Sequence, residues 1–149
     1  MTRASTAGEK TEKGRIALEV ELTNYEDKVR ARNGDIPPEK VRRIRIDAIV
    51  DTGAAHLVIP QSAADALGVP VIGEAGVRYA DESRAKKKIV NAVEVSLLSR
   101  SGIFRAIVEP ARTEVLLGAI VLEDMDFIVD CRAQKLVPRD PEMIQSEIE

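Results

Sequence analysis

Apolar and polar residues alternate with a period of two in several stretches of this 149-residue chain, and that pattern marks strands with one buried face. Ile16, Leu18, Val20 and Leu22 alternate with Ala17, Glu19, Glu21 and Thr23. Ile44, Ile46, Ala48 and Val50 alternate with Arg43, Arg45 and Asp47, and Ile89 to Leu98 repeats the pattern. A turn at Ser99-Arg100-Ser101-Gly102 then sends Ile103 to Val108 back. The supply of residues agrees: 16 Val and 14 Ile stand against 10 Leu and four aromatics, and β-branched side chains favour pleated sheet. The expectation is an all-β (mainly β) domain with an aliphatic core.

The remaining segments fit that frame. Val69-Pro70-Val71-Ile72 and Val77 to Ala80 read as strands, and Val115-Leu116-Leu117 is a buried apolar run. Phe127 to Cys131 and Lys135 to Val137 close the chain around an Arg132-Ala133-Gln134 turn. Gln61 to Leu67, opened by Pro60 and closed by Gly68, predicts a short helix. Ala119 to Asp124 predicts one or two helical turns more. Asn24 to Glu39 carries Asn33-Gly34 and Pro37-Pro38 and reads as a long loop or ragged hairpin tip. Residues 1–13 read as a flexible polar tail, 14–140 as one domain, and 141–149 as a C-terminal tail that is a candidate for a dimer interface.

Composition excludes several functions. A net charge of −3 with few aromatics disfavours a nucleic-acid binder. One cysteine (Cys131) and one histidine (His56) rule out a disulfide framework and the usual zinc sites, so no metal or cofactor is expected. The apolar runs are far shorter than a membrane helix needs, and no apolar stretch follows Arg3 as a secretory signal would require. The expected setting is cytoplasmic.

The chemistry is concentrated at Ile49-Val50-Asp51-Thr52-Gly53-Ala54, where a carboxylate follows directly on an apolar strand. Taken alone, it reads as an Asp-initiated turn capped by its own side chain. About sixty residues later, Leu116-Leu117-Gly118 leads into the second predicted helix. With Val50-Asp51-Thr52-Gly53-Ala54, Leu57-Val58-Ile59-Pro60 and Leu116-Leu117-Gly118 in this order, the chain resembles the retropepsin-like (retroviral-type) aspartic proteases. The segments 122–130 and Lys135-Leu136-Val137-Pro138 are similar to bacterial members.

The resemblance implies an acid-protease-like closed barrel, the single-domain half of a pepsin, with one or two short helices and a flap hairpin. It implies a catalytic Asp51, Thr52 and Gly53, with Thr52 cross-linking two loops beneath a pair of aspartates. Leu116, Leu117 and Gly118 would pack under the catalytic loop. Substrate would meet Ala54, Ala55 and His56, and a flap centred on Asp81-Glu82-Ser83, with Tyr79 and Ala80 on its incoming strand. Peptide hydrolysis by an aspartic pair needs two carboxylates sharing one proton, and this chain has one Asp-Thr-Gly. The implied enzyme is therefore a homodimeric endopeptidase acting on polypeptides, with no nucleic-acid or membrane partner.

Two departures bear on that reading. Retroviral members often carry Asp and Arg where this chain has Ala55 and Ala119, so that pair cannot brace a dimer here. The flap centre lacks the glycines of retroviral flaps and places Glu82 at its tip. The alternative is a catalytically weak or inactive dimerisation or peptide-binding module on the same fold. Taken by themselves, His56 reads as an exposed turn residue, the Arg84/Lys86/Lys87/Lys88 cluster as a solvated hairpin face, and Cys131 as a small edge residue.

Overall fold

The alternating segments become the staves of a closed barrel. A computed structural model describes residues 10–12 and 15–148. Its strands are β1 (Lys10–Glu12), β2 (Arg15–Asn24), β3 (Arg43–Val50), β4 (Leu57–Ile59), β5 (Val71–Arg78), β6 (Arg84–Leu97), β7 (Arg100–Val108), β8 (Val115–Leu117), β9 (Phe127–Asp130) and β10 (Lys135–Pro138). Hydrogen bonding runs β2-β3-β8-β4-β7-β6 and returns from β6 to β2, so six strands close on themselves and leave no open edge in the ring. β1 adds to the outside of β2, β5 pairs with β6 as a projecting hairpin, and β9–β10 form a separate two-stranded ribbon.

Burial follows the sequence pattern. Ile16, Leu18, Val20 and Leu22 point inward from β2, each 4% exposed or less. Leu57, Ile59, Leu67 and Leu117 meet them at the centre. β6 serves two neighbours because a bulge between Val90 and Val93, with Ala92 at φ 61°, re-aims the strand midway. Its first part extends into the β5 hairpin and its last part reaches β2.

Three helices are present: α1 (Tyr25–Arg32), α2 (Gln61–Leu67) and α3 (Ala119–Asp124), with a 3-10 turn at Pro38–Lys40. α2 and α3 lie where the sequence predicts them, α2 ending on Gly68 at φ 64°. α1 corrects the expectation of a loop from Asn24 to Glu39. Its signal is in its caps rather than in an apolar stripe. Asn24 accepts a hydrogen bond from the Asp27 N–H, Glu26 and Asp27 lie in the first turn, and Arg30 and Arg32 in the last. Asp27 is buried and binds the Arg42 backbone N–H, Nε and Nη2, while Asn24 Nδ2 donates to Leu67 O. This network staples α1 to the barrel where apolar contacts do not.

Other boundaries shift. Val71 to Arg78 is one strand rather than two, so Tyr79 and Ala80 belong to the turn and not to an incoming strand. The β6–β7 turn is the two-residue Leu98-Ser99, both at positive φ, rather than Ser99 to Gly102. Such a turn matches the twist of its strands, but without Asn-Gly it is hard to read from sequence. Within the expected N-terminal tail, Lys10–Glu12 pairs with β2; residues 1–9 and 13–14 lie outside the described residues. Among the described residues, no helix is long and apolar enough to cross a membrane.

Candidate active site

β3 delivers the chain to Asp51 and β4 resumes it at Leu57, leaving residues 51–56 as a short loop. β8 wedges between these two strands, parallel to β3 (Val50 opposite Leu117) and antiparallel to β4 (Leu57 opposite Leu117). Three backbone hydrogen bonds pin the loop to this wedge: Asp51 N–H to Leu117 O at 3.1 Å, Ala119 N–H to Ala54 O at 2.8 Å, and Ile120 N–H to Ala55 O at 3.0 Å. Gly118 stands at the closest approach. A methyl group on its α-carbon would lie 2.3 Å from His56 O and 2.8 Å from Ala54 O. Its φ of −82° suits any residue, so the glycine is required by space and not by conformation.

Inside the loop, the Gly53 N–H donates to Asp51 Oδ1 at 3.0 Å and the Ala54 N–H to Asp51 O at 3.1 Å. Among the described residues, Asp51 Oδ2 takes no hydrogen bond, and the half-buried carboxylate is flanked by exposed Thr52 and Gly53. An oriented acid with one uncommitted oxygen on a rigid, apolar footing can exchange a proton with water or with a second acid.

The β5–β6 hairpin ends in a turn closed by the Tyr79 N–H to Ser83 O at 2.9 Å and the Glu82 N–H to Tyr79 O at 2.9 Å. Glu82 adopts φ 72°. Asp81 Oδ1 accepts from the Ser83 N–H and hydroxyl, and these bonds hold the exposed Asp81 carboxyl below its ordinary range. Among the described residues, Ala80, Asp81 and Glu82 form no hydrogen bond to the Asp51 loop.

Tyr79 reaches elsewhere. Its hydroxyl donates to Glu109 Oε2 at 2.5 Å, and Lys87 Nζ lies 3.2 Å from Glu109 Oε1. Glu109 is 8% exposed and its N–H donates to Ile59 O, so the residue is anchored to the end of β4. Burial pushes the Glu109 carboxyl up, but the Tyr79 and Lys87 hydrogen bonds and the Lys87 charge outweigh it and leave the group below its ordinary value. The same carboxylate raises the Tyr79 hydroxyl and the Lys87 ammonium, in both through its hydrogen bond first. The hairpin is thus latched to the end of the β7 strand.

The family model described as "gag-polyprotein putative aspartyl protease" matches residues 38–124, more than half of the chain and including both Asp51 and Gly118. The chain belongs to this family. Within this aspartyl protease family, the matched span runs from the 3-10 turn to the end of α3 and takes in the barrel strands that carry the Asp51 loop. Among solved structures, EIAV protease in complex with the inhibitor HBY-793 is 18% identical, with a TM-score of 0.47 over 54% of this chain and 76% of that one. The foamy viral protease-reverse transcriptase bound to an RNA/DNA hybrid is also 18% identical, with a TM-score of 0.44 over 52% of this chain and 10% of that one. No curated protein matches the chain.

In the sequence Lys87 reads as part of a solvated cluster and Glu109 belongs to no motif. The only local hint at Glu109 is an acid between an apolar strand and Pro110; its partners come from the hairpin, some twenty to thirty residues earlier.

Proposed function

We propose that this aspartyl protease family member is a homodimeric endopeptidase in which the Asp51 carboxylates of two copies face each other and share one proton. The ionised member takes a proton from water, whose oxygen attacks the peptide carbonyl, while the protonated member donates to the carbonyl oxygen. Collapse of the tetrahedral intermediate breaks the C–N bond, and the amine leaves with a proton returned through the dyad. Thr52 and Gly53 would line the contact between loops, and Leu116, Leu117 and Gly118 would support them from below. Ala54, Ala55, His56, Tyr79, Ala80, Asp81 and Glu82 would border the polypeptide.

The observation that carries this reading is the braced loop with a single Asp-Thr-Gly, its carboxylate half-buried and its flanking residues uncovered. Gly53, Ala54 and Ala55 are small, so a second loop can approach closely across a two-fold axis. Ile120, 48% exposed and bonded through its N–H to Ala55, adds an apolar margin to that face. The lone exposed Cys131 suits a reducing compartment such as the cytoplasm.

The test is cleavage of unfolded protein with and without a statyl-type inhibitor, paired with sedimentation analysis. Inhibitor-sensitive cleavage by a dimer is expected. A dimer or monomer that binds peptides without hydrolysing them would favour the binding-module alternative, which the latched hairpin and its Glu82 tip keep in view.

A further inference from the structure

Next to the Asp51 loop lies a small open cavity of about 60 Å³, lined by His56, Ala75, Ile89, Arg105, Ala106 and Ile107. Its lining comes from β5, β6, β7 and the residue before β4, successive neighbours in one sheet. Leu57 and Ala106 pair in the parallel β4–β7 ladder, so the residues just before them, His56 and Arg105, stand side by side at its mouth. Ile89 on β6 pairs with Ile107 on β7, and Ala75 enters from β5. The floor is therefore apolar, and both polar lining side chains are nitrogen donors.

Arg105 is exposed and has no ion pair among the described residues. No carboxylate lines the cavity. The neighbouring hairpin carries Arg78, Arg84, Lys86 and Lys88 beside Glu74, Asp81 and Glu82, with Lys87 already paired to Glu109. A guanidinium presents paired N–H donors in a plane that matches a carboxylate, and an imidazole N–H can add a third donor. The volume holds a few waters, which a short side chain would displace and a large aromatic one would not fit.

We infer that this cavity is a specificity subsite for an acidic side chain, Asp or Glu, of the bound polypeptide, with Arg105 as its ion-pair partner and His56 as a second donor. The inference rests on the peptidase reading, since a chain lying along the Asp51 loop is what brings a side chain to His56. It assigns a substrate class: polypeptides with an acidic residue at one fixed distance from the cleaved bond.

Two readouts separate this inference from the reading beneath it. In the first, the full chain digests a peptide library, and residues are tallied by their distance from each cleaved bond. Asp and Glu should exceed Asn and Gln by about tenfold at one position. Arg105→Glu should reverse the preference towards Lys and Arg there, and Arg105→Lys should retain part of it. In the second, Asp51→Asn protein binds fluorescent octapeptide pools fixed as Glu or Gln at one position, with the Arg105→Glu, Asp51→Asn double variant as control. Circular dichroism of each variant establishes that it is folded.

Cleavage without an acid preference, or with one that Arg105→Glu leaves intact, overturns the subsite and spares the peptidase. Acid-selective binding that Arg105→Glu abolishes, with no cleavage by the native chain, sustains the subsite and overturns the peptidase. Binding and cleavage both indifferent to the acid overturn the subsite.

Discussion

The α-carbon of Gly118 lies so close to His56 that a methyl group there would stand 2.3 Å from the His56 carbonyl oxygen. That contact joins the two motifs of the sequence: the end of β8 is the seat on which residues 54–56 rest. Gly118→Ala must displace either the loop or α3. It should cost about 2 kcal/mol of stability, in line with overpacking elsewhere, and lower turnover by more than the loss of folded protein explains. Thermal denaturation and peptidase assays on the same preparation test this; a variant with native stability and native turnover would contradict it.

If each active unit holds one Asp51 from each of two chains, Asp51→Asn acts on its partner as well as on itself. The pure variant should lose about a thousandfold or more in turnover, because a pair acting as one unit fails when either member goes. After complete subunit exchange at equal proportions with native chains, the activity should be about a quarter of that of the same total concentration of native chains, since only native pairs work. A remainder of one half after demonstrated exchange would mean that each chain carries its own complete site.

The Tyr79–Glu109–Lys87 latch ties the hairpin to the end of β7, and under the peptidase reading it would have to yield for a polypeptide to enter. The resemblance implies a mobile flap centred on Asp81-Glu82-Ser83, and the latch predicts that this mobility is governed by Glu109. Glu109→Gln and Tyr79→Phe should raise amide exchange at 79–86 several-fold while exchange in β3 stays unchanged. Unchanged exchange in the hairpin in both variants would show that the latch does not restrain it.

The latch also has a pH window. Glu109 lies below its ordinary value when folded, so its contribution is complete above the usual carboxylate range and is lost as pH falls through the lowered folded value. Tyr79 and Lys87 lie above theirs, so their contributions are complete below about pH 10 and are lost as pH rises through the raised folded values. Hairpin exchange in the native chain should therefore be flat across neutral pH, after correction for intrinsic rates. It should rise only under strong acid or alkali.

Asp27 is the stability centre of α1. Arg42 holds its carboxyl below the ordinary range through a side-chain hydrogen bond, against the opposing effect of burial. Its contribution is present above the unfolded carboxylate value and disappears as pH falls through the lower folded one. Asp27→Asn should cost about 2 kcal/mol at neutral pH, with the deficit shrinking in acid. A chemical-denaturation series from pH 7 to pH 3 measures both; a constant deficit would show that the Arg42 ion pair is not its source.

The alternating strands, the two short helices at 61–67 and 119–124, and the Asp51 and Gly118 motifs were legible in the sequence because each is written in a few neighbouring residues. Period two, a glycine cap and an acid after an apolar strand are local patterns. α1 was not legible as a helix because its face is charged and its evidence is capping chemistry completed by Arg42, fifteen residues beyond Asp27. The Leu98-Ser99 turn was obscured because Leu rarely adopts positive φ and is held there by the strands it joins. What only the tertiary structure decided is which distant residues share a wall. Closure of the ring brought β7 beside β4 and the hairpin over both, placing Arg105 next to His56 and Glu109 within reach of Tyr79. Such neighbours are made by strand register, which depends on the burial of every strand together and is not encoded at any one position.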